Sequence, residues 1–225
     1  MALEFQKTIK AGDILTSITI LVSVVALILS LAKDREALVS DQANRVRAAA
    51  ASTLAKLDRW QAVQLSLYQD LQPSFVQLSE DLAKQYDVVS IRDRFWKQVG
   101  EARARVAKQV LDEQLSTSYA DLLTHFPAAR ERVAVVLGQL SVVESKASDE
   151  FMAKGEQSIL SLKGKQASYQ TPDLGNALRA AAATGAGQFK AESDRLLEPV
   201  RQYLFGLIAR KDDELVNARR SKDDA

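Results

Sequence analysis

From Lys33 to Leu71 the apolar positions recur at threes and fours: Val39, Ala43, Val46, Ala50, Leu54, Leu57, Trp60, Leu67 and Leu71. That is the period of a helix with one buried stripe and one wet face. The pattern returns in four more stretches. A short one, Ser74 to Lys84, carries Phe75, Val76, Leu78 and Leu82. Ile91 to Thr124 places Ile91, Phe95, Val99, Ala102, Val106 and Val110 on one side. A fourth helix is expected from Pro127, a residue suited to a first helical turn, to about Lys165. It has the cleanest repeat: Val133, Val136, Leu140, Val143, Ala147, Phe151, Ile159 and Leu162. The last stretch runs from about Asn176 towards Arg220, and its apolar spacing continues through Pro199, which predicts a kink rather than an end.

Breaks between these stretches are few: Gln72-Pro73-Ser74, the region of Tyr86–Ser90, His125-Phe126-Pro127, and residues 168–175. No segment alternates as a half-buried strand. Helices of this kind need partners for their stripes, so the chain is expected to be all-α. Short connections between long helices predict an elongated antiparallel bundle over residues 33–225. Two alanine runs, Ala48–Ala51 and Ala180–Ala183, read equally as close-approach points or as good helix formers. Residues 209–225 are densely charged and expected to be a solvated tail with a frayed end.

One segment breaks the amphipathic rule. Ile14 to Ala32 reads ILTSITILVSVVALILSLA, nineteen residues without a charge, between Lys10-Ala11-Gly12-Asp13 and Lys33-Asp34-Arg35-Glu36. At about 1.5 Å per residue it nearly covers the roughly 30 Å hydrocarbon core of a bilayer. The favoured reading is a single transmembrane helix after a short tail, residues 1–13. A cleaved signal peptide ending at Ser30-Leu31-Ala32 is the second reading, weakened by the length of the run and by Lys33 and Arg35 directly after the cut. A buried core helix is the third, although the segment lacks the polar stripe such helices carry. Lys10, Lys33 and Arg35 are the flanking cations. On the carboxyl side Lys33, Arg35, Arg45 and Arg47 outnumber Lys7 and Lys10, which by the positive-inside rule favours a cytoplasmic main domain.

Composition adds mainly exclusions. Thirty Lys and Arg against 29 Asp and Glu leave almost no net charge, so nucleic acid is not an expected partner. The chain has no cysteine, which removes disulfides and thiolate metal sites. The lone histidine, His125, falls at a helix end, where a structural role on the last carbonyls is expected. Glu-x-x-His, His-Glu-x-x-His, EF-hand and Gly-x-Ser-x-Gly patterns are absent. Thr184-Gly185-Ala186-Gly187 lacks the Gly-Lys-Ser/Thr ending of a phosphate loop and reads as a flexible or closely packed point within a helix. Neither a catalytic site, a cofactor, a metal nor a small-molecule substrate is expected.

Two charged features stand out. Residues 91–110 hold six basic and two acidic side chains. At 100° per residue, Arg94, Lys97, Arg105 and Lys108 share about a quarter of the helix, with Glu101 among them and the apolar residues elsewhere. This basic face is a candidate surface for anionic lipid, an acidic partner or nucleic acid, against the plainer reading of a solvated face balanced by acids nearby. The second feature is the run Arg45, Arg47, Lys56 and Arg59 with Trp60, too far along the helix for Trp60 to be an interfacial anchor; helix packing is its expected role.

Together these readings describe a single-pass membrane protein whose helical bundle recruits other proteins or a second copy. If the partner is a second copy, parallel packing through the Lys33–Leu71 helix is the expected route. The alternative is a receptor-type or envelope-bridging domain outside the cytoplasm, acting through a separate membrane partner. The layout of a flanked anchor followed by a long helical region resembles that of bacterial single-span, inner-membrane proteins. No motif names a family, and no residue role follows from the resemblance.

Overall fold

The computed structural model describes the backbone of residues 11–84, 87–162 and 171–223, and side chains of residues 22–82, 84, 87–162 and 173–218. Within them the chain is helical with no strand. The elements are α1 (Ala11–Asp70), α2 (Gln72–Ala83), α3 (Val88–Asp112), α4 (Leu115–His125), a 3₁₀ turn at Pro127–Ala129, α5 (Arg130–Leu160), α6 (Thr171–Ala209) and α7 (Asp212–Asp223).

The arrangement is an antiparallel bundle built on α1. Helix α6 runs back along α1 and α2: Arg47 reaches Arg210, Asp58 reaches Arg201, and Gly175 lies against Phe75 and Ser79. Helix α3 also runs against α1 and α2, with Arg94 on Asp81 at one end and Glu113 on Arg59 at the other. Helix α4 fills the space beside the lower part of α1, where the Thr53 hydroxyl donates to the Ser118 carbonyl at 3.1 Å. Helix α5 packs chiefly on α6 and touches α3 at its far end. Sixty residues at about 1.5 Å each make α1 roughly 90 Å long, so the molecule is elongated.

Sequence breaks and structural breaks agree where proline or a cap sets them. Pro73 sits in the first turn of α2, and Asp87 caps α3 by accepting from the Val89 and Ser90 amides at 3.0 Å. Three expected boundaries need correction. The Ile91–Thr124 stretch is two helices, because Gln114 adopts a left-handed conformation (φ 52°). Nothing in Asp112-Glu113-Gln114-Leu115 announces this, since a left-handed position usually signals itself by glycine or asparagine. Tertiary contacts favour the turn: Glu113 is held by Arg59 at 2.6 Å and by Lys56, and α4 then carries Leu122 into the core. The helix through Pro199 ends at Ala209. The charged stretch after it is not a solvated tail: α7 docks on α1, buries Leu215 and Val216, and is pinned where Arg47 meets Asp212 at 2.5 Å. Three apolar residues, Leu215, Val216 and Ala218, are enough to seat a helix once α1 offers a complementary stripe.

The core has two notable levels. At the far end Phe151 lies among Tyr68 (ring centroids 5.6 Å), Phe95 (6.0 Å) and Phe75 (6.3 Å). Gly155 and Gly185 make room for these rings; a Cβ on Gly185 would fall 2.8 Å from Tyr68 and 3.1 Å from Phe151. Thr184–Gly187 is therefore a packing point within α6. Lower down, Trp60 is buried against Phe189 at 5.9 Å, the helix-packing role its position implies. Of the alanine runs, Ala49, Ala50, Ala181 and Ala182 are buried and their neighbours exposed, so each run serves both purposes.

The apolar amino-terminal part of α1 stands apart from the core. Residues 22–38 are exposed, including Val22, Val25, Leu27, Ile28, Leu29 and Leu31 at 48–59%. They are continuous with a helix whose buried stripe begins only at Ala43. Among the described residues no helix is long and apolar enough to cross a membrane. The expected span Ile14–Ala32 lies partly outside those whose side chains are described. The eleven residues from Val22 to Ala32 cover only about 16 Å, half the hydrocarbon thickness. The buried-core reading of this segment does not hold for residues 22–32.

Candidate interaction surfaces

Helix α3 is ordered by its cap and by a continuous buried side, Val88, Ile91, Phe95, Val99, Ala102 and Val106. The opposite side carries the candidate basic residues. They are not equivalent. Arg94 Nη1 donates to Asp81 Oδ2 at 2.5 Å, and Asp81 is buried. A buried carboxylate needs such a partner, so Arg94 is committed to holding α3 on α2. Lys97, Arg105 and Lys108 are exposed, and none makes an ion pair with a described residue. Glu101, also exposed, divides them. The free part of the face is thus three cations on one helix.

Its position matters as much as its charge. Glu113, at the end of α3, meets Arg59 of α1, and α3 runs from there away from the amino terminus. Counted along α1, Arg59 is about 39 Å beyond Lys33 at 1.5 Å per residue. With α1 upright on a membrane, Lys108 and Arg105 lie further out still, against a screening length near 8 Å.

Of the flanking cations, Lys33 and Arg35 are exposed and Lys10 lies outside the described residues. Arg35 lines a groove between α1 and α7, with Leu38 and Val39 on one wall and Asp212, Asp213 and Val216 on the other. His125 ends α4, with Nε2 3.5 Å from the Asp121 carboxylate.

Two features were not singled out in the sequence. One is a polar seam between α1 and α6. The Gln61 amide donates to Ser193 and to Asp194, both at 2.7 Å, and Arg201 donates to Gln61 and to Asp58, both at 2.8 Å. Hydrogen bonds from Lys190, then Gln61, hold the Asp194 carboxyl below its ordinary value near 3.8. A depressed folded-state pKa contributes stability above the ordinary aspartate range, and that contribution disappears as pH falls through the folded value. Asp194→Asn should therefore lower the urea midpoint more at pH 7 than at pH 3, below the ordinary aspartate value. Equal losses at both pH values would refute the assignment.

The other is a cleft of about 310 Å³ between α1, α3 and α5, with Leu67, Val106 and Val110 as floor and Gln64, Arg103 and Glu144 as its polar rim. Beside it the buried Tyr68 hydroxyl is pushed up to about 12, first by burial, then by Glu144, with Arg103 opposing. Among the described residues no group of three or more carboxylates or histidines is placed to hold a metal.

Comparison of the chain with protein-family models, with curated proteins and with solved structures finds no match.

Proposed function

We propose that this chain is a single-pass membrane protein whose helical bundle works as a non-enzymatic recruitment module. One observation carries the reading: the apolar residues from Val22 to Leu31 are presented on a helix continuous with the core and are covered by no part of the bundle. A helix apolar on all sides normally belongs in lipid or within protein. In water such a surface is an aggregation hazard. Extended through Ile14, the apolar run reaches the length of a bilayer crossing, with Lys33 and Arg35 at its boundary. The mechanism is localisation. The tether confines the bundle to a membrane surface, raises its effective concentration there, and lets modest interfaces suffice. Lys97, Arg105 and Lys108 then form an outward-facing site for an acidic partner.

The positive-inside balance supports a cytoplasmic bundle. The missing cysteines make the test direct. A Ser221→Cys variant is treated with a membrane-impermeant maleimide in intact and in permeabilised cells, and the membrane fraction is recovered after carbonate washing. Retention in the membrane with labelling only after permeabilisation is the expected result. Labelling in intact cells would reverse the topology in favour of a receptor-type or bridging domain. A product of intact mass lacking residues 1–32 and found in solution would replace the anchor by a signal peptide.

A further inference from the structure

The cleft between α1, α3 and α5 is ringed by polar groups that no described residue satisfies. Of the eight residues lining it, two are charged, Arg103 of α3 and Glu144 of α5. Both are half-buried, and neither forms an ion pair with the other or with any described residue. Among the described residues Arg103 donates only to the Met152 sulfur, at 3.8 Å, a weak acceptor that leaves most of the guanidinium fork unused. Gln64 of α1 is 8% exposed, yet its side chain lines the cleft and bonds to no described residue. One turn further along α1 stands the Tyr68 hydroxyl. Glu144 and Arg103 act on it in opposite senses, so the two charges reach one place from two helices. Buried polar groups are normally hydrogen-bonded. A set of them left open around a single cavity points to a molecule that pairs with them.

We infer that the cleft binds an apolar α-amino acid as its zwitterion, with the carboxylate on Arg103, the ammonium on Glu144 and the side chain on Leu67, Val106 and Val110. Three observations choose this class. The first is charge. A simple anion would be repelled by Glu144 and a simple cation by Arg103, whereas a zwitterion pairs with both. Gln64 serves either end, because its amide offers an NH2 to the carboxylate and a carbonyl to the ammonium. The second is the apolar floor, which calls for an aliphatic or aromatic body and gives glycine nothing to bury. The third is size. A cleft of about 310 Å³ is near the lower end of the roughly 300–1,000 Å³ of small-molecule sites, which suits one amino acid better than a nucleotide or a lipid. The site is independent of the anchor. It gives the bundle a soluble ligand that ties α3 to α5 across the cleft.

Equilibrium dialysis of radiolabelled L-leucine and L-phenylalanine against the full chain in phosphatidylcholine vesicles is the test, with empty vesicles as the blank. Saturable binding of at least one of them, at one molecule per chain, is the expected result. The amide of the bound amino acid lacks the carboxylate, and its deaminated acid lacks the ammonium; each should compete at least tenfold more weakly than the parent. Arg103→Gln and Glu144→Gln should each weaken binding at least tenfold. Lys154→Gln, exposed on α5 outside the cleft, should leave it unchanged. Should a variant fail to fold by circular dichroism, the analogue series on the unsubstituted chain still decides. No saturable binding up to about 1 mM ligand would overturn the site. Competition by the amide or the deaminated acid as strong as that of the parent would overturn the zwitterion. Binding unaltered in both cleft variants would put the ligand elsewhere and overturn the assignment to this cleft.

Discussion

Replacing Phe151 with alanine is expected to cost about 4 kcal/mol of unfolding free energy, the largest single loss in the bundle. Phe151 is fully buried where α1, α2, α3 and α5 bring aromatic side chains to one point and Gly185 of α6 leaves room for them. Removing a buried phenylalanine ring typically costs 3–5 kcal/mol, in transfer free energy plus the cavity left behind. Collapse of that cavity is resisted because Tyr68, Phe75 and Phe95 come from different helices and cannot all move inward. For a chain of this length the loss corresponds to a fall in Tm of roughly 10 °C. Phe205→Ala is the control: its ring is 58% exposed and the change should stay within about 0.5 kcal/mol. Urea titration followed by circular dichroism measures both. A Phe151→Ala loss below 1 kcal/mol would mean that the cluster is not the centre of the core. Gly185→Ala should also destabilise, since its methyl must displace Tyr68 or Phe151, whereas Gly138→Ala should be neutral or mildly stabilising.

A second large effect is expected at the other end of α1. Val25→Arg together with Leu29→Asp should abolish flotation of the full chain with lipid vesicles. A charge near the centre of a bilayer, as at position 25, costs about 2.5–3.5 kcal/mol on insertion scales, and the second, nearer the end of the span, adds a smaller amount, enough together to remove stable insertion. Both residues are about half exposed and lie outside the core, so thermal unfolding of the bundle should be unchanged. That separation makes the result interpretable: loss of flotation with an unaltered Tm reports on lipid alone. Flotation equal to that of the unsubstituted chain would exclude this segment as the anchor.

Much of the architecture was legible from periodicity. The α1 stripe from Ala43 to Leu67, the α3 stripe from Ile91 to Val106 and the α5 stripe from Val133 to Ile159 lie in or against the core where three-and-four spacing put them. Pro73 and Pro127 marked real boundaries because proline acts locally, through its fixed φ and missing donor. The errors arose where the local signal was silent. Gln114 turns left-handed without glycine, and α7 docks despite a sequence dominated by charge. Both outcomes depend on α1, with Arg59 and Lys56 holding Glu113 and Arg47 holding Asp212. The basic face was legible as a cluster, yet only the fold separates Arg94, used by Asp81, from Lys97, Arg105 and Lys108. The cleft was hidden for a related reason. Gln64, Arg103 and Glu144 belong to three helices and converge only once those helices meet.

By itself the sequence determined that the chain is helical, which face of each long helix seeks burial, and that one charge-free segment breaks the pattern. These are properties of single helices, set by neighbours three or four residues away. The tertiary structure alone decided which helices meet, that Phe151 lies at the centre of an aromatic cluster drawn from four helices, and that the apolar start of α1 is left uncovered. Those outcomes depend on residues more than a hundred positions apart, such as Asp58 and Arg201, because burial and charge pairing are satisfied in space and not along the chain.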